Sequence, residues 1–388
     1  MTGGGSGGHI TPILAVAHEL KQQRPEAEIF YIGQTGDALG DIPAEDKNID
    51  QVYTVRAGKF RRYHGESFLQ HLTDVSTLFK NIRDALWALM GIWQSLWLLK
   101  RLRPEVVFVK GGFVGVPVGL AAAILRIPYV THDSDALPGL ANRIIARWAR
   151  LHAVALPKEV YSYPARKTIT VGVPIAREYH PLSDAEMKAV RGQLHLDDFA
   201  KLVLVTGGGL GAQRLNEAFA DCLPELLERY PNMAVVHIAG RNHEVIMRQQ
   251  YKKELASKDQ KRVFVKGFIH NLYQYSGIAD VVVTRAGGNT MAELAAQAKA
   301  CIVVPNPVLT GGHQLKNARV LADRKAIRLV SEDVLVDDHR ALMPALTELI
   351  DHPKMARALG AKLATMSEPN AAHRLAVVLL EIADKQPS

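Results

Sequence analysis

The chain has few of the residues that mark disulfide-stabilised, metal-binding or membrane-spanning proteins. Only two of its 388 residues are cysteines, Cys222 and Cys301, and they lie far apart among apolar neighbours. Their scarcity excludes a disulfide scaffold and a Cys/His metal cluster, and it predicts reduced core cysteines in a cytosolic protein. No apolar run reaches the roughly 18 residues of a spanning helix, and the glycine-rich N-terminus does not resemble a cleavable signal.

Acidic residues are fewer than basic ones, and the formal net charge is +8. Such a charge favours anionic partners, including nucleotides and acidic lipid surfaces. No zinc finger or RNP-type aromatic motif accompanies it, so we expect no nucleic-acid partner. A length of 388 residues predicts two domains.

Short β-branched apolar runs alternate with helical patterns along almost the whole chain, which predicts parallel sheets built from βαβ units. The series restarts near residue 202, after a polar stretch over residues 176–200. We therefore predict two doubly wound α/β domains, residues 1–172 and 173–388, with the last helices packing back on the first domain. The predicted strands are residues 29–32, 106–109, 129–131, 151–155, 169–171, 202–206, 234–238, 263–265, 281–284 and 301–304.

Each predicted domain carries a glycine-rich loop at an equivalent position. Residues 3–8 lead into His9 and a helical pattern, and residues 207–212 follow the strand predicted at 202–206. Loops without Cβ atoms admit a large ligand close to the backbone, and the helix N-terminus behind each loop attracts an anion. Because ligands of such folds bind at the carboxyl ends of the strands, we predict a site in a cleft between the domains, bordered by His9. A flexible glycine-rich terminus is the alternative interpretation of the first loop.

A third motif, over residues 285–293, runs from a strand end through a glycine turn into a helix. Its carboxylate, Glu293, suits the two hydroxyls of a ribose, while Arg285 and the amides of residues 287–290 are predicted to face a diphosphate. An ordinary acid near a helix N-terminus, favoured by the helix dipole, is the alternative interpretation of Glu293.

The order and spacing of several segments resemble the MurG family of bacterial N-acetylglucosaminyltransferases, which are GT-B enzymes similar to glycosyltransferase family 28. The resemblance covers nearly the whole chain and implies an α/β GT-B fold, with two doubly wound Rossmann-like domains facing a central cleft. It also implies inverting, metal-independent transfer of GlcNAc from UDP-GlcNAc to the C4 hydroxyl of MurNAc in lipid I, the step of peptidoglycan synthesis that gives lipid II. The matching segments are residues 4–9, 110–113, 138–143, 207–213, 279–280, 285–294, 313–314 and 317–318.

The resemblance also implies roles for individual residues. His9 is the expected general base, the backbone of Ile269 is expected to hold uracil, and Glu293 the ribose. No cofactor or metal is expected. The other expected substrate-binding residues are Ser6, Gly7, Gly8, Asp135, Arg177, Gly209, Arg285, Gly288, Asn289, Thr290, His313, Gln314 and Asn317.

The chain departs from the family pattern at several of these positions. Gly209 stands where a serine is common, Asp135 replaces an amide in the segment over residues 132–135, and Arg177 lies one place late. The family also begins with a strand that feeds the first glycine loop, whereas Met1 is only two residues from Gly3. We therefore expect the native reading frame to continue upstream with a short β-branched segment.

Residues 75–99 show apolar side chains at helical spacing, three of the four tryptophans, and flanking lysines and arginines. One apolar face must pack on the first domain, and the excess predicts peripheral contact with an anionic membrane at the cytoplasmic face of the cell membrane. Core packing alone is the alternative interpretation. The predicted membrane patch consists of Ile82, Leu86, Leu89 and Trp93.

Two further functions stay open on the sequence alone. One is a GT-B transferase that acts on another lipid, such as diacylglycerol, and acceptor assays distinguish it. The other is a non-catalytic subunit that binds sugar nucleotides, and turnover by the isolated protein excludes it. The expected partners are UDP-GlcNAc, lipid I, an anionic membrane surface and other proteins of cell-wall synthesis.

Overall fold

The computed structural model describes residues 1–5, 7–37, 39–58, 75–208, 211–307 and 312–385, and the side chains of residues 75–82 lie outside this description. The backbone divides into two compact units. The first consists of Met1–Ala176 and Glu368–Ser388, and the second of Arg177–Ser367. The division therefore falls after residue 176, whereas the sequence predicted a boundary after residue 172.

All strand pairs described in the first unit are parallel. Two strands form one group and four strands form another, in the order β1-β2 and β3-β4-β5-β6. The strands are β1 Phe30–Gln34, β2 Gln51–Val55, β3 Val107–Val109, β4 Tyr129–Asp133, β5 Leu151–Val154 and β6 Thr168–Thr170.

Thr2 joins these two groups of strands. Its backbone forms parallel bridges to Ile32 and Val109. Its N–H donates to the Phe108 carbonyl at 2.8 Å, and its carbonyl accepts from the Lys110 N–H at 2.9 Å. Residues 1 and 2 thus occupy the strand position that the sequence led us to assign to upstream residues. The winding direction reverses between Thr2 and β3, and in such folds this is where ligands bind.

The first unit is completed by helices on both sides of its strands. The N-terminal helix buries Ile10, Ile13 and Val16, and the C-terminal helix returns to the same core with Leu375 and Leu379. The helices are α1 Gly7–Gln23, α2 Asp41–Ala44, α3 Val75–Leu102, α4 Gly115–Ile124, α5 Leu140–Ile145 and, after the second unit, α16 Ala371–Ala383. Short 3-10 helices cover Ala146–Trp148, Lys158–Val160 and Ala165–Lys167.

The second unit contains a six-stranded parallel sheet with the strand order β12-β11-β10-β7-β8-β9. Its central strands are continuous apolar runs, as expected for strands that are buried on both faces. The winding direction reverses between β7 and β10, so the loops that follow these two strands border the ligand position of this fold. The strands are β7 Lys201–Thr206, β8 Met233–Ile238, β9 Val263–Lys266, β10 Val281–Thr284, β11 Cys301–Val303 and β12 Arg328–Leu329.

Helices flank this sheet as well. The first of them begins with a capping box, in which Ser183 and Glu186 satisfy each other's backbone N–H groups. The helices are α6 Asp184–Gln193, α7 Gln213–Arg229, α8 Glu244–Glu254, α9 Ser257–Gln260, α10 Leu272–Ile278, α11 Gly288–Ala296, α12 His313–Asp323, α13 Glu332–Asp337, α14 Met343–Asp351 and α15 Pro353–Ala364. A 3-10 helix covers His339–Leu342.

Candidate active site

His9 lies in the first turn of α1, at the carboxyl edge of the first unit's sheet. Its ring lies against Gly111, which follows β3: a Cβ at Gly111 would be 3.4 Å from Cδ2 and 3.5 Å from Nε2 of His9. Gly112 adopts a φ of +75°, and a Cβ there would lie 2.5 Å from the carbonyl oxygen of Gly4. The glycine loop over residues 3–8 and the glycines that follow β3 therefore pack closely together at the winding reversal. A side chain at Gly112 would prevent this approach.

Burial lowers the pKa of His9 to about 4, and the nearby charge of Lys110 adds to this effect. Asp135, Asp37 and a hydrogen bond to the Gly4 backbone act in the opposite direction. The imidazole is therefore neutral at physiological pH, which is the form that accepts a proton in general base catalysis.

Buried polar groups surround this position. Asp133 accepts hydrogen bonds from the Gly139 N–H at 2.9 Å, the Asn142 amide at 3.0 Å and the Tyr163 hydroxyl at 2.8 Å. Its pKa is nevertheless raised, mainly because the carboxyl is buried. The ammonium of Lys110 donates to the Ser134 hydroxyl at 2.9 Å. Predicted residue Asp135 lies in this group, whereas Ser6 lies outside the described residues.

The first glycine loop is also held by a carboxylate. The Gly5 N–H donates to Oδ2 of Asp37 at 2.8 Å, and Oδ1 of the same side chain accepts from the Leu39 N–H at 3.1 Å. Predicted residues Gly7 and Gly8 begin α1. Their N–H groups therefore belong to the first turn, whose backbone donors point out of the N-terminal end of the helix.

In the second unit, the predicted donor motif has the expected local structure. β10 ends at Thr284, a turn follows, and α11 begins at Gly288, so Gly288, Asn289 and Thr290 form its first turn. The positive end of this helix points to the carboxyl edge of β10 and can stabilise an anion. The other glycine loop, after β7, is described at Gly207, Gly208 and Gly211 but not at predicted residue Gly209.

The structure corrects the expectation that the guanidinium of Arg285 faces the diphosphate. Its Nη1 donates to the Val304 carbonyl at 3.0 Å, and its Nη2 forms a 2.5 Å ion pair with Glu332. Arg214 lies 3.5 Å from the other oxygen of Glu332. The charge of Arg285 is thus balanced inside the unit. Its guanidinium connects the segments that follow β10, β11 and β12. The other groups at this edge that can stabilise an anion are the N-terminus of α11 and the loop amides.

Glu293 lies one turn into α11, and burial raises its pKa to about 8. Tyr179 lies close enough to be affected by the charge of Glu293. Burial, together with that charge, raises the pKa of the Tyr179 hydroxyl. Tyr179 in turn packs edge-on against Tyr273, with ring centroids 6.1 Å apart. A carboxyl near the Tyr179 hydroxyl, with a pair of aromatic rings close by, suits a nucleoside.

The polar residues predicted on α12 hold neighbouring backbone segments. Oε1 of Gln314 accepts from the Asn306 N–H at 2.9 Å, and the amide of Asn317 donates to the Ala286 carbonyl at 3.0 Å. Asn317 therefore supports the turn that precedes α11, so the structure gives these two side chains a supporting role. His313 is half-buried at the start of the same helix.

The remaining predicted positions lie at the margins of the second unit. Ile269 follows β9 and is half-buried, next to a stacked pair in which Arg241 lies 4.7 Å from the ring centroid of Phe268. Arg177, the first residue of the unit, is exposed.

Sequence reasoning missed four residues with prominent contacts in these sites, namely Asp37, Lys110, Tyr179 and Glu332. Lys110 belongs to the matching segment over residues 110–113, but its burial depends on Ser134 and the end of β4, which are distant in sequence. No local pattern identifies the other three. Within the described ranges, no group of three or more His, Cys, Asp or Glu residues has the geometry to hold a metal ion.

Helix α3 carries an exposed apolar stripe. Leu89 and Trp93 are 63% and 70% exposed, and the stripe continues through Leu86, Met90 and Trp97. The opposite face is buried, and a Cβ at Gly91 would lie 1.9 Å from the carbonyl oxygen of Arg56. Predicted patch residue Ile82 lies outside the described side chains. Along the described parts of the chain, no helix has the length and apolar character needed to cross a bilayer.

Two family models match the chain. The N-terminal domain model of glycosyltransferase family 28 covers residues 1–154, and the C-terminal domain model of the same family covers residues 202–375. With two Rossmann-like units, the chain has the fold of the GT-B glycosyltransferases. The crystal structure of Acinetobacter baumannii MurG has a TM-score of 0.69 at 24% identity and 98% coverage of both chains.

Two curated relatives carry the name UDP-N-acetylglucosamine--N-acetylmuramyl-(pentapeptide) pyrophosphoryl-undecaprenol N-acetylglucosamine transferase. The protein from Natranaerobius thermophilus is 31% identical over 381 residues, and that from Bacillus pumilus is 32% identical over 383 residues, with 98% of each chain covered. The chain belongs to this family, the MurG-type transferases of glycosyltransferase family 28.

Proposed function

We propose that this chain transfers GlcNAc from UDP-GlcNAc to the C4 hydroxyl of MurNAc in undecaprenyl-diphospho-MurNAc-pentapeptide and so converts lipid I to lipid II. Family membership over the full length carries this proposal. The glycine loop beside His9 and the glycine turn that leads from β10 into the helix of Glu293 support it.

The reaction is a single displacement at the anomeric carbon. The C4 oxygen of the acceptor forms the new bond while the bond to the UDP oxygen breaks, so the configuration inverts and a β-1,4 linkage results. The neutral imidazole of His9 takes the proton of the attacking hydroxyl. Its low pKa keeps it unprotonated before attack, and the positive end of α1 lies close by.

The second unit binds the donor in this proposal. The carboxylate of Glu293 accepts hydrogen bonds from the ribose hydroxyls, and the first turn of α11 faces the diphosphate. As the bond breaks, negative charge grows on the UDP oxygens, and the oriented amides and helix dipoles stabilise it without reorganisation. We propose that the transfer needs no metal ion, and activity retained in excess EDTA would support this.

The decisive experiment is incubation of the purified protein with UDP-GlcNAc and lipid I, followed by determination of product mass and linkage. We expect a product heavier by one GlcNAc, linked β-1,4. Diacylglycerol in place of lipid I is the matched control for the acceptor. Transfer to diacylglycerol alone, or no turnover with either lipid, would contradict the proposal.

We further propose that the exposed stripe of α3 holds the protein peripherally on the cytoplasmic leaflet. The stripe is flanked by arginines, with Arg83 lying 4.6 Å above the Trp87 ring and Arg101 lying 5.5 Å from the Trp97 ring. A buried CH₂ contributes about 0.8 kcal/mol, and a basic residue near an anionic surface about 1 kcal/mol. A stripe of this size therefore supports reversible binding.

Vesicle co-sedimentation tests this membrane contact. We expect binding to anionic phosphatidylglycerol vesicles that weakens at high salt, and a loss of at least about tenfold on combined Leu89→Ser and Trp93→Ser substitution. Val245→Ser with Ile246→Ser removes two exposed apolar side chains from α8 and is the matched control. Equal vesicle binding by both double variants would contradict the assignment.

A further inference from the structure

A chain of buried hydrogen bonds ends beside the glycine loop that follows β7. It consists of the side chains of Tyr251, His237 and Asn216, all of which are buried. Nδ1 of His237 lies 2.7 Å from the Tyr251 hydroxyl, and Nε2 of the same ring lies 3.0 Å from Oδ1 of Asn216. The amide nitrogen of Asn216 lies 2.9 Å from the carbonyl oxygen of Ala239. The proposed chemistry does not yet use any of these side chains.

The contact with Ala239 fixes the direction of every bond in this chain. A carbonyl oxygen can only accept, so the NH₂ group of Asn216 faces Ala239 and its Oδ1 faces His237. Oδ1 can also only accept, so Nε2 of His237 carries a hydrogen. Burial lowers the pKa of His237 to about 3, and the neutral ring therefore leaves Nδ1 to accept from the Tyr251 hydroxyl. Each group thus has a single role.

The carbonyl of Ala239 is also the surface on which the glycine loop lies. Ala239 follows β8, and its N–H donates to the Lys266 carbonyl at 2.9 Å. A Cβ at Gly211 would lie 2.4 Å from the Ala239 oxygen, so only a glycine can approach this carbonyl so closely. Gly211 has a φ of +79°, and its N–H donates to the Gly208 carbonyl at 2.9 Å. The side chain of Asn216 therefore holds the carbonyl against which the loop packs.

Asn216 is also tied to the end of the loop through its backbone. It lies in the first turn of α7, the helix that the loop enters, and its N–H donates to the Ala212 carbonyl at 2.9 Å. The loop borders the ligand position at the winding reversal between β7 and β10. A displaced Asn216 would therefore move the loop at two places, at Gly211 and at Ala212.

We propose that Asn216 and His237 are positioning residues for the donor, which hold the glycine loop after β7 in the conformation that binds the diphosphate of UDP-GlcNAc. This inference rests on the proposed function, in which the second unit binds this donor. Tyr251 completes the chain, because its hydroxyl occupies Nδ1 of His237 and keeps the ring hydrogen on Nε2. Since the loop is held before the donor arrives, binding does not have to order it.

Donor affinity, measured by calorimetry, tests this role. Asn216→Ala removes the bond to Ala239, and His237→Leu leaves Oδ1 of Asn216 without its donor. Both variants should bind UDP-GlcNAc about five- to thirtyfold more weakly. His237→Gln should stay within about threefold of wild type, because a glutamine amide can donate from near the position of Nε2.

Arg262→Gln is the matched control for a general loss of stability. Arg262 donates to the backbone carbonyls of residues 227, 230, 231 and 233, at the opposite, amino-terminal edge of β8 and β9. This variant should melt at a lower temperature but bind UDP-GlcNAc like the wild type. Circular dichroism shows which variants are folded at the temperature of the titration. If Asn216→Ala is not folded, the comparison of His237→Leu with His237→Gln carries the test.

Hydrogen exchange examines the loop in the free protein, without donor or lipid. Peptides that span residues 207–212 should exchange faster in Asn216→Ala and His237→Leu, and at the wild-type rate in His237→Gln and Arg262→Gln. NMR of ¹⁵N-labelled histidine should place the ring hydrogen of His237 on Nε2, with the signal assigned by its loss in His237→Gln.

Wild-type donor affinity in both Asn216→Ala and His237→Leu overturns the proposal, and so does unchanged exchange of the loop in these variants. A ring hydrogen on Nδ1 of His237, or an equal loss of affinity in Arg262→Gln, also overturns it. A wild-type protein that transfers no GlcNAc would instead contradict the proposed function, and the exchange result would still decide whether these residues hold the loop.

Discussion

The ionisation of Glu293 gives the sharpest test of the donor site. Burial raises the pKa of its carboxyl to about 8, so about one tenth of the free protein is ionised there at pH 7. In the proposed donor complex, the ionised carboxylate can accept hydrogen bonds from both ribose hydroxyls, whereas the protonated acid presents a donor at one of its two oxygens. Donor binding should therefore select the carboxylate and release a proton.

The expected change in donor affinity with pH follows from the ionised fraction of Glu293. Between pH 7 and pH 8.5 this fraction, and with it the affinity for UDP-GlcNAc, should rise about eightfold. Glu293→Gln keeps the size of the side chain but cannot ionise, and it removes hydrogen bonds to a charged group worth about 1.5–3 kcal/mol. We expect this variant, like Glu293→Ala, to bind at least about tenfold more weakly at pH 8.5, with no pH dependence.

Isothermal titration calorimetry in two buffers of different ionisation enthalpy measures both the affinity and the released proton. UDP-GlcNAc is the right ligand because its diphosphate has no proton to lose in this range, unlike the terminal phosphate of UDP. A wild-type affinity that is independent of pH, or an equal rise in Glu293→Gln, would refute the reasoning.

The same carboxyl affects folding. Since its folded pKa lies above the ordinary value of 4.5, the folded protein binds the proton more tightly than the unfolded chain. The free energy of unfolding should therefore fall as the pH rises from about 4.5 to about 8, and Glu293→Gln should remove this part of the decline.

Three further predictions concern other parts of the molecule. His9→Gln should lower turnover by about 10²–10⁴-fold while UDP-GlcNAc affinity in calorimetry stays unchanged, and wild-type turnover would reassign the base. Glu332→Gln breaks a buried ion pair and should cost about 3–5 kcal/mol in urea denaturation, whereas Glu348→Gln in an exposed pair should cost at most about 1 kcal/mol. Gly91→Ala should lower the melting temperature by forcing α3 off its neighbour, while Gly192→Ala, with open space around it, should not; equal shifts would contradict this packing.

The sequence predicted the parallel strands well where burial on both faces leaves a continuous apolar run. All ten predicted strands are present, with ends that differ by at most two residues. The two strands that were missed have weaker patterns: β2 mixes polar and apolar residues at the sheet edge, and β12 has only two residues, Arg328 and Leu329. Pattern reasoning depends on length and apolar continuity, and these strands lack one or both.

The candidate sites were predicted only as far as local motifs reach. The turn from β10 into α11 was predicted correctly, and it carries Glu293 on the helix as expected, because both elements are local in sequence. Arg285 was misjudged, since its partner Glu332 is 47 residues away and no local pattern pairs them. Side-chain direction at a strand end depends on tertiary partners, so an arginine beside a predicted anion site need not face the anion.

The return of α16 to the first unit has a consequence for the order of folding during synthesis. The helix that covers α1, and whose Asp384 pairs with Arg24 at 2.8 Å, is made after every residue of the second unit. The second unit is continuous in sequence, so it can complete its sheet while the first unit still exposes part of its apolar core. A ribosome-bound chain at this stage exposes apolar surface of the kind that holdase chaperones bind, and proteolysis within residues 368–370 of the finished protein would leave α16 held only by its packing and its ion pair.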